Sequence, residues 1–165
     1  MKKVAVVMGS ASDLPLAKEV VKTLNVFGVA SVTRVLSAHR TPEEAAAFAK
    51  AAEAEDFGVI IAIAGKAAHL AGAMAAHSLL PVIGVPASSK DLGGLDALLS
   101  TAQMPKGVPV ATVAIDGASN AALLAVRILA LSSEELALQL QQYAAKLAEL
   151  SAEADRSIQK EIEQL

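Results

Sequence analysis

Short, continuous apolar runs alternate along this chain with segments of helical periodicity. That alternation predicts an α/β protein of three layers: a doubly wound sheet of five parallel strands, flavodoxin-like, with a long helix added at the C-terminus. Two observations carry the prediction. The runs Val4–Met8, Gly58–Ala64 and Pro81–Pro86 lack the polar alternation of a half-exposed strand, as expected for strands buried on both faces. The first two strand-to-helix turns then open on small or capping residues, Gly9-Ser10 after the first strand and Thr41-Pro42 after the second.

In order, Val4–Met8 is the first strand, and Asp13 to about Phe27 is a helix with Leu16, Val20, Val21 and Leu24 on one face. Ser31–Leu36, rich in β-branched residues, is the second strand. Thr41-Pro42-Glu43-Glu44 places Thr at the N-cap, Pro at the first helical position and Glu at the third, opening an Ala-rich helix through Ala54. Gly58–Ala64 is the third strand, and Ala67–Ser78 a nearly apolar helix that must be buried. Pro81–Pro86 is the fourth strand, followed by the polar loop Ala87–Gly94 and a helix over Leu95–Gln103. Val108–Ile115 is the fifth strand and Asn120–Leu131 an apolar helix. Residues 1–132 thus form one α/β unit. Residues 133–165 form a helix in which Leu136, Leu140, Tyr143, Leu147, Leu150, Ala154, Ile158, Ile162 and Leu165 fall three or four apart. Such a stripe packs on another helix, of this domain or of a neighbouring subunit, and an oligomer is expected.

Composition excludes several functions. With 165 residues the chain is one domain with room for a substantial core. Aromatics are limited to Phe27, Phe48, Phe57 and Tyr143, and the net charge is −3, so neither a stacking surface nor a basic footprint for nucleic acid is present. The absence of cysteine removes disulfides, thiolate metal sites and cysteine nucleophiles. No apolar stretch reaches the ~20 residues that span a bilayer. Met1-Lys2-Lys3 runs straight into a strand without a signal-peptide pattern, so a soluble cytoplasmic protein is expected.

In a parallel α/β sheet the carboxyl ends of the strands bind ligands. Two loops on that edge carry polar chemistry: Gly9-Ser10-Ala11-Ser12-Asp13 and Ser37-Ala38-His39-Arg40-Thr41-Pro42. Gly9 permits a sharp turn, Ser10 and Ser12 offer hydroxyls beside a helix start that favours an anion, and Asp13 can accept from sugar hydroxyls. The competing role for Ser12 or Asp13 is a helix cap. His39 is the candidate for proton transfer, because imidazole exchanges protons near neutral pH, and Arg40 can grip a phosphate with two parallel hydrogen bonds. His69, in Ala64-Gly65-Lys66-Ala67-Ala68-His69-Leu70, lies at a third turn on the same edge, where Gly65 allows close approach. His77, late in a short helix, serves packing or capping. Three dispersed histidines make a poor metal site, and the glycine turns match neither nucleoside triphosphate nor dinucleotide fingerprints. The set suits a sugar phosphate and one proton transfer.

From Val4 to about Leu131 the chain resembles the N5-carboxyaminoimidazole ribonucleotide mutases (class I PurE). The resemblance lies in Met8-Gly9-Ser10-Ala11-Ser12-Asp13, Ser37-Ala38-His39-Arg40-Thr41-Pro42, Ala67-Ala68-His69-Leu70, Leu80–Pro86, Gln103-Met104-Pro105 and Val108–Ile115. It implies an isomerisation in purine biosynthesis that moves a carboxyl group from the exocyclic amine to ring carbon C4, without metal or organic cofactor. Carbon dioxide is released, held and recaptured, and the Ser-Ala-His-Arg histidine, here His39, shuttles the proton. By the same resemblance Ser10, Ser12 and Arg40 meet the phosphate and Asp13 the ribose. Ser37, Gly65, His69 and Leu70 line the pocket around base and carboxylate, and subunits form homo-octamers whose sites neighbours complete. Holding carbon dioxide calls for a closed pocket with small linings, which Gly65, Ala67 and Ala68 supply.

Three positions depart from the family's Gly-Ala-Gly-Gly-Ala-Ala-His-Leu-Pro-Gly pattern: Ile63 and Lys66 stand where Gly is common, and Ala71 where Pro is. Lys66 either binds the carboxylate or reaches solvent along its stem, and the second is favoured. Two rivals remain. A direct aminoimidazole ribonucleotide carboxylase would carry a Ser-Asn pair near residues 67–70, which is absent there. A non-catalytic scaffold or nucleotide-binding module would have no need to keep Ser10, Ser12, Asp13, His39 and Arg40 together.

Overall fold

The structure, a computed structural model, describes residues 1–164. Its elements follow the alternation read from the sequence: β1 (Lys3–Met8), α1 (Leu14–Val26), β2 (Ser31–Val35), α2 (Pro42–Ala51), β3 (Phe57–Gly65), α3 (Leu70–His77), β4 (Val82–Ala87), α4 (Leu95–Ala102), β5 (Ala111–Thr112), α5 (Ala118–Ala130) and α6 (Glu134–Ile162). The five strands are parallel, in the order β2-β1-β3-β4-β5. This is the doubly wound, flavodoxin-like order, whose chain reversal lies between β1 and β3.

The pleat sorts the core into two layers. Val4, Val6 and Met8 of β1, with Val59, Ile61 and Ile63 of β3, face α1, α5 and Leu136 at the start of α6. The alternate residues Ala5, Val7, Ile60 and Ala62 face α2 and α3, where Ala45, Ala49, Leu70, Ala71 and Met74 are buried. Small residues set the approach of the outer helices. A Cβ at Gly84 of β4 would collide with the Thr101 methyl of α4. In α5, Ala118, Ala121, Ala122 and Ala125 have no exposed surface, so the helix lies close on the sheet.

Several boundaries differ from the sequence reading for physical reasons. The fifth strand, expected over Val108–Ile115, pairs only through Ala111 and Thr112, with Val113 N–H continuing to the Gly84 carbonyl. Pro109 has no N–H to give a ladder, and Gly107, two residues before it, is left-handed (φ 96°). α3 starts at Leu70 instead of Ala67 because Lys66 is left-handed (φ 55°), which ends β3 in a tight turn. Thr41 stands at the N-cap of α2 but makes no side-chain cap. Its hydroxyl instead accepts from Ser37 N–H (2.9 Å) and donates to the Ser37 carbonyl (3.2 Å), closing the preceding loop on itself. α6 is capped by Ser133, whose Oγ accepts from Leu136 N–H. α6 runs to Ile162, and Leu165 of the expected stripe lies outside the described residues. Among the described residues no helix is long and apolar enough to cross a membrane.

Candidate active site

Four strand ends build one cavity of about 560 Å³, lined by the loops after β1, β2, β3 and β4. It brings together every candidate read from the sequence: Ser10, Ser12, Asp13, Ser37, His39, Arg40, Gly65, His69 and Leu70. His77 is absent from the lining and sits exposed in the last turn of α3.

The two polar loops hold each other. Ser37 Oγ accepts from Arg40 N–H (3.2 Å) and from Arg40 Nε (3.4 Å), while Arg40 Nη2 donates to the Gly9 carbonyl (2.9 Å). The guanidinium is therefore aimed before any ligand arrives, with donors still free for an anion. Ser37, read as a pocket residue, also orients the arginine. In the β1–α1 loop a single 3-10 turn covers Ala11–Asp13, opened by Ser10 Oγ accepting from Ser12 N–H at 3.4 Å. Asp13 occupies the N-cap of α1 without capping it, so the alternative of a purely structural cap is not realised there. Burial pushes its carboxyl above the ordinary carboxylate range, against the lowering effect of hydrogen bonds from Ser10 and Ser12.

The third turn brings His69 to His39. Nε2 of His39 lies 2.8 Å from Nδ1 of His69, and the rings meet edge to face with centroids 4.9 Å apart. Leu70, buried behind them, and Gly65, against the Ala87 carbonyl, form the apolar and narrow parts of the lining. Lys66 turns outward: Nζ pairs with Asp91 Oδ2 at 2.7 Å while the side chain stays 70% exposed. The neighbouring Asp91 carboxylate holds the ammonium's pKa above its usual value. The left-handed backbone here also accounts for a glycine at this position in the family pattern.

Sequence reasoning missed the fourth wall. Ser88 and Ser89, after β4, line the same cavity. Ser88 N–H is held by Asp116 Oδ1 (2.8 Å), and Ser89 Oγ is buried without a partner among the described residues. Their position on the carboxyl edge of a strand adjacent to β3 was the available signal. The expected closure is only partial, because His39, Arg40, Ala67 and His69 are all exposed. Small linings alone do not seal a cavity at a sheet edge. Among the described residues no cluster of three or more His, Asp or Glu could hold a metal ion.

The fold and geometry find close counterparts among known proteins. The family model described as AIR carboxylase matches residues 3–150. An N5-carboxyaminoimidazole ribonucleotide mutase from Saccharolobus solfataricus is 57% identical over 143 residues, 87% of this chain and 90% of that protein. A chloroplastic phosphoribosylaminoimidazole carboxylase from Vigna aconitifolia is 50% identical over 137 residues, 83% of this chain and 25% of that protein. The crystal structure of Treponema denticola PurE superposes with a TM-score of 0.86 at 33% identity, covering 93% of this chain and 96% of that one.

Proposed function

The chain belongs to the AIR carboxylase family, and from that premise we propose that it is the mutase that converts N5-carboxyaminoimidazole ribonucleotide to 4-carboxyaminoimidazole ribonucleotide in purine biosynthesis. One observation carries the reading: a histidine suited to proton transfer and a pre-aimed arginine face two serines and an aspartate across one cavity. Relatives named for this reaction support it over most of their length.

Ser10, Ser12 and Arg40 bind the phosphate, beside the helix start of α1, and Asp13 accepts from the ribose. Ser37, Gly65, His69 and Leu70 surround the base and the carboxylate. His39 donates a proton to the exocyclic nitrogen as its carboxyl leaves as carbon dioxide. C4 then attacks the held carbon dioxide, and His39 takes up the C4 proton. Retention of carbon dioxide makes recapture effectively unimolecular. In this reading the enzyme works in the cytoplasm as a homo-octamer whose neighbouring subunits cover the exposed side of the cavity. Direct carboxylation of aminoimidazole ribonucleotide is the second reading, supported by the plant relative named as a carboxylase.

The test supplies purified protein with each substrate in turn and follows product absorbance, beside His39→Asn. Conversion of the N5-carboxylated nucleotide, lowered by about 10²- to 10⁴-fold in the variant, is expected. Turnover only with aminoimidazole ribonucleotide and bicarbonate would replace the mutase by the carboxylase.

A further inference from the structure

The contact between His39 and His69 constrains the chemistry more than either residue alone. Two imidazole nitrogens 2.8 Å apart have room for one hydrogen between them. A neutral pair carries two N–H hydrogens and a singly charged pair three. A doubly charged pair would put two hydrogens into the same gap and break the contact. The pair can therefore hold one extra proton and no more while the contact lasts.

The direction of the shared hydrogen follows from the surroundings. His69 stands at the N-cap of α3, where the unpaired N–H groups of the first turn favour an electron-rich group over a cation. His69 is thus the ring suited to present a lone pair. His39 lies in the loop two residues ahead of Thr41, the N-cap of α2, and so outside the first turn of that helix, where the effect of the terminus falls off.

We propose that His69 is a positioning residue for His39: its Nδ1 accepts the hydrogen on His39 Nε2, so that Nδ1 of His39 is the nitrogen that exchanges a proton with the substrate. This rests on the mutase reading above. The cycle balances on that nitrogen. The pair starts with three hydrogens, one on His39 Nδ1, one shared, and one on His69 Nε2. As the carbamate N–C bond breaks, its electron pair stays on the exocyclic nitrogen, which takes the Nδ1 hydrogen, and carbon dioxide departs. The pair is then neutral, with Nδ1 bare and the shared hydrogen in place. C4 forms its bond to carbon dioxide, the C4–H electron pair returns to the ring, and the proton goes to Nδ1. The pair regains three hydrogens, and the shared one never leaves the gap.

A purely space-filling or substrate-binding His69 predicts something different, and two substitutions separate the cases. Asn at position 69 can place an amide oxygen near the Nδ1 position, while Leu removes the acceptor. His69 is exposed, so neither change removes core packing. With 15N-labelled histidine, NMR on the native protein should detect the His39 Nε2–H correlated across the gap to His69 Nδ1. His69→Leu should lower kcat by roughly 10- to 100-fold, part of what a positioned acid–base group supplies, with KM within about threefold. His69→Asn should recover most of that loss. The proposal is overturned if the shared hydrogen resides on His69 Nδ1, if no correlation exists, or if both variants raise KM and leave kcat alike. The NMR measurement uses no substrate. A native protein that shows the correlation but converts no N5-carboxylated nucleotide would sink the mutase reading and leave the pairing standing.

Discussion

At the scale of single residues, Asp13 carries a stability cost inside the cavity. Its carboxyl is half-buried, and desolvation holds its pKa above the ordinary carboxylate value. The folded protein therefore binds a proton there more tightly than the unfolded chain. The stabilisation linked to that proton is complete below the ordinary carboxylate value and is lost as pH rises through the elevated one. At neutral pH the ionised Asp13 is a cost to the fold. Asp13→Asn removes it, so the variant should melt above the native protein at pH 7, and the gap should close on acidification as the native carboxyl protonates. In the proposed reading the same change removes a charged acceptor for the ribose, and it should then raise KM by roughly 10- to 100-fold. A melting temperature unchanged at pH 7, or a gap that widens in acid, would contradict this. Most residues of the site were legible because each polar cluster follows an apolar run, which fixes its place on one sheet edge. Thr41 was legible only as a cap, because its bonds to Ser37 depend on the loop turning back, which no pattern in Thr41-Pro42-Glu43-Glu44 records. Ser89 could be placed only by its position after β4, since the orphaning of its hydroxyl is a property of the packed loop.

At the scale of elements, the turn between β3 and α3 is where this chain departs from the family pattern that its resemblance suggests and where the sequence was least able to speak. Position 66 needs a left-handed backbone, which a lysine adopts at a cost that glycine avoids. Its Nζ finds Asp91 on the β4–α4 loop, joining two walls of the cavity, but both partners are largely exposed and the pair is screened by salt. The backbone term should win over the ion pair. Lys66→Gly is thus expected to melt about 2–4 °C above Lys66→Ala, and at or above the native protein. Because Nζ is committed to Asp91, neither change should move KM beyond about twofold; a tenfold rise in KM for both would show the ammonium on the substrate carboxylate instead. The shortened fifth strand has a related lesson. Val108–Ile115 carries the right residues, yet strand pairing needs backbone donors in register, and Pro109 behind a left-handed Gly107 withholds them.

At the scale of the whole molecule, alternation alone implied a parallel doubly wound sheet, and the observed order makes β1 and β3 neighbours, so that the Ser10–Asp13 loop and the His69 turn meet. What one chain does not complete is the outer surface. α6 has 29 residues, roughly 43 Å at ~1.5 Å per residue, and only its first turns are absorbed by the core. Leu136 is buried and Leu140 and Tyr143 pack against the α1–α5 layer, the Tyr143 ring 5.5 Å from Phe27. Beyond them the stripe is open: Leu147 and Leu150 are about half exposed and Ile158 and Ile162 more so. Leu147 and Leu150 also border a groove with Val26, Phe27 and Tyr143 of about 550 Å³. A periodic apolar face of this length is costly in water, and a second copy of the same chain presents a matching face, as expected for a symmetric oligomer. Leu147→Asp with Leu150→Asp places two charges in that face without touching the buried core. Light scattering at micromolar concentration should give a multi-subunit mass for the native chain and a smaller one for the double variant, with the circular dichroism of the α/β unit retained. If neighbours also cover the exposed side of the cavity, the variant should lose turnover in step with mass. A native chain that scatters as a monomer would remove both the oligomer and the proposed means by which an open cavity could retain carbon dioxide.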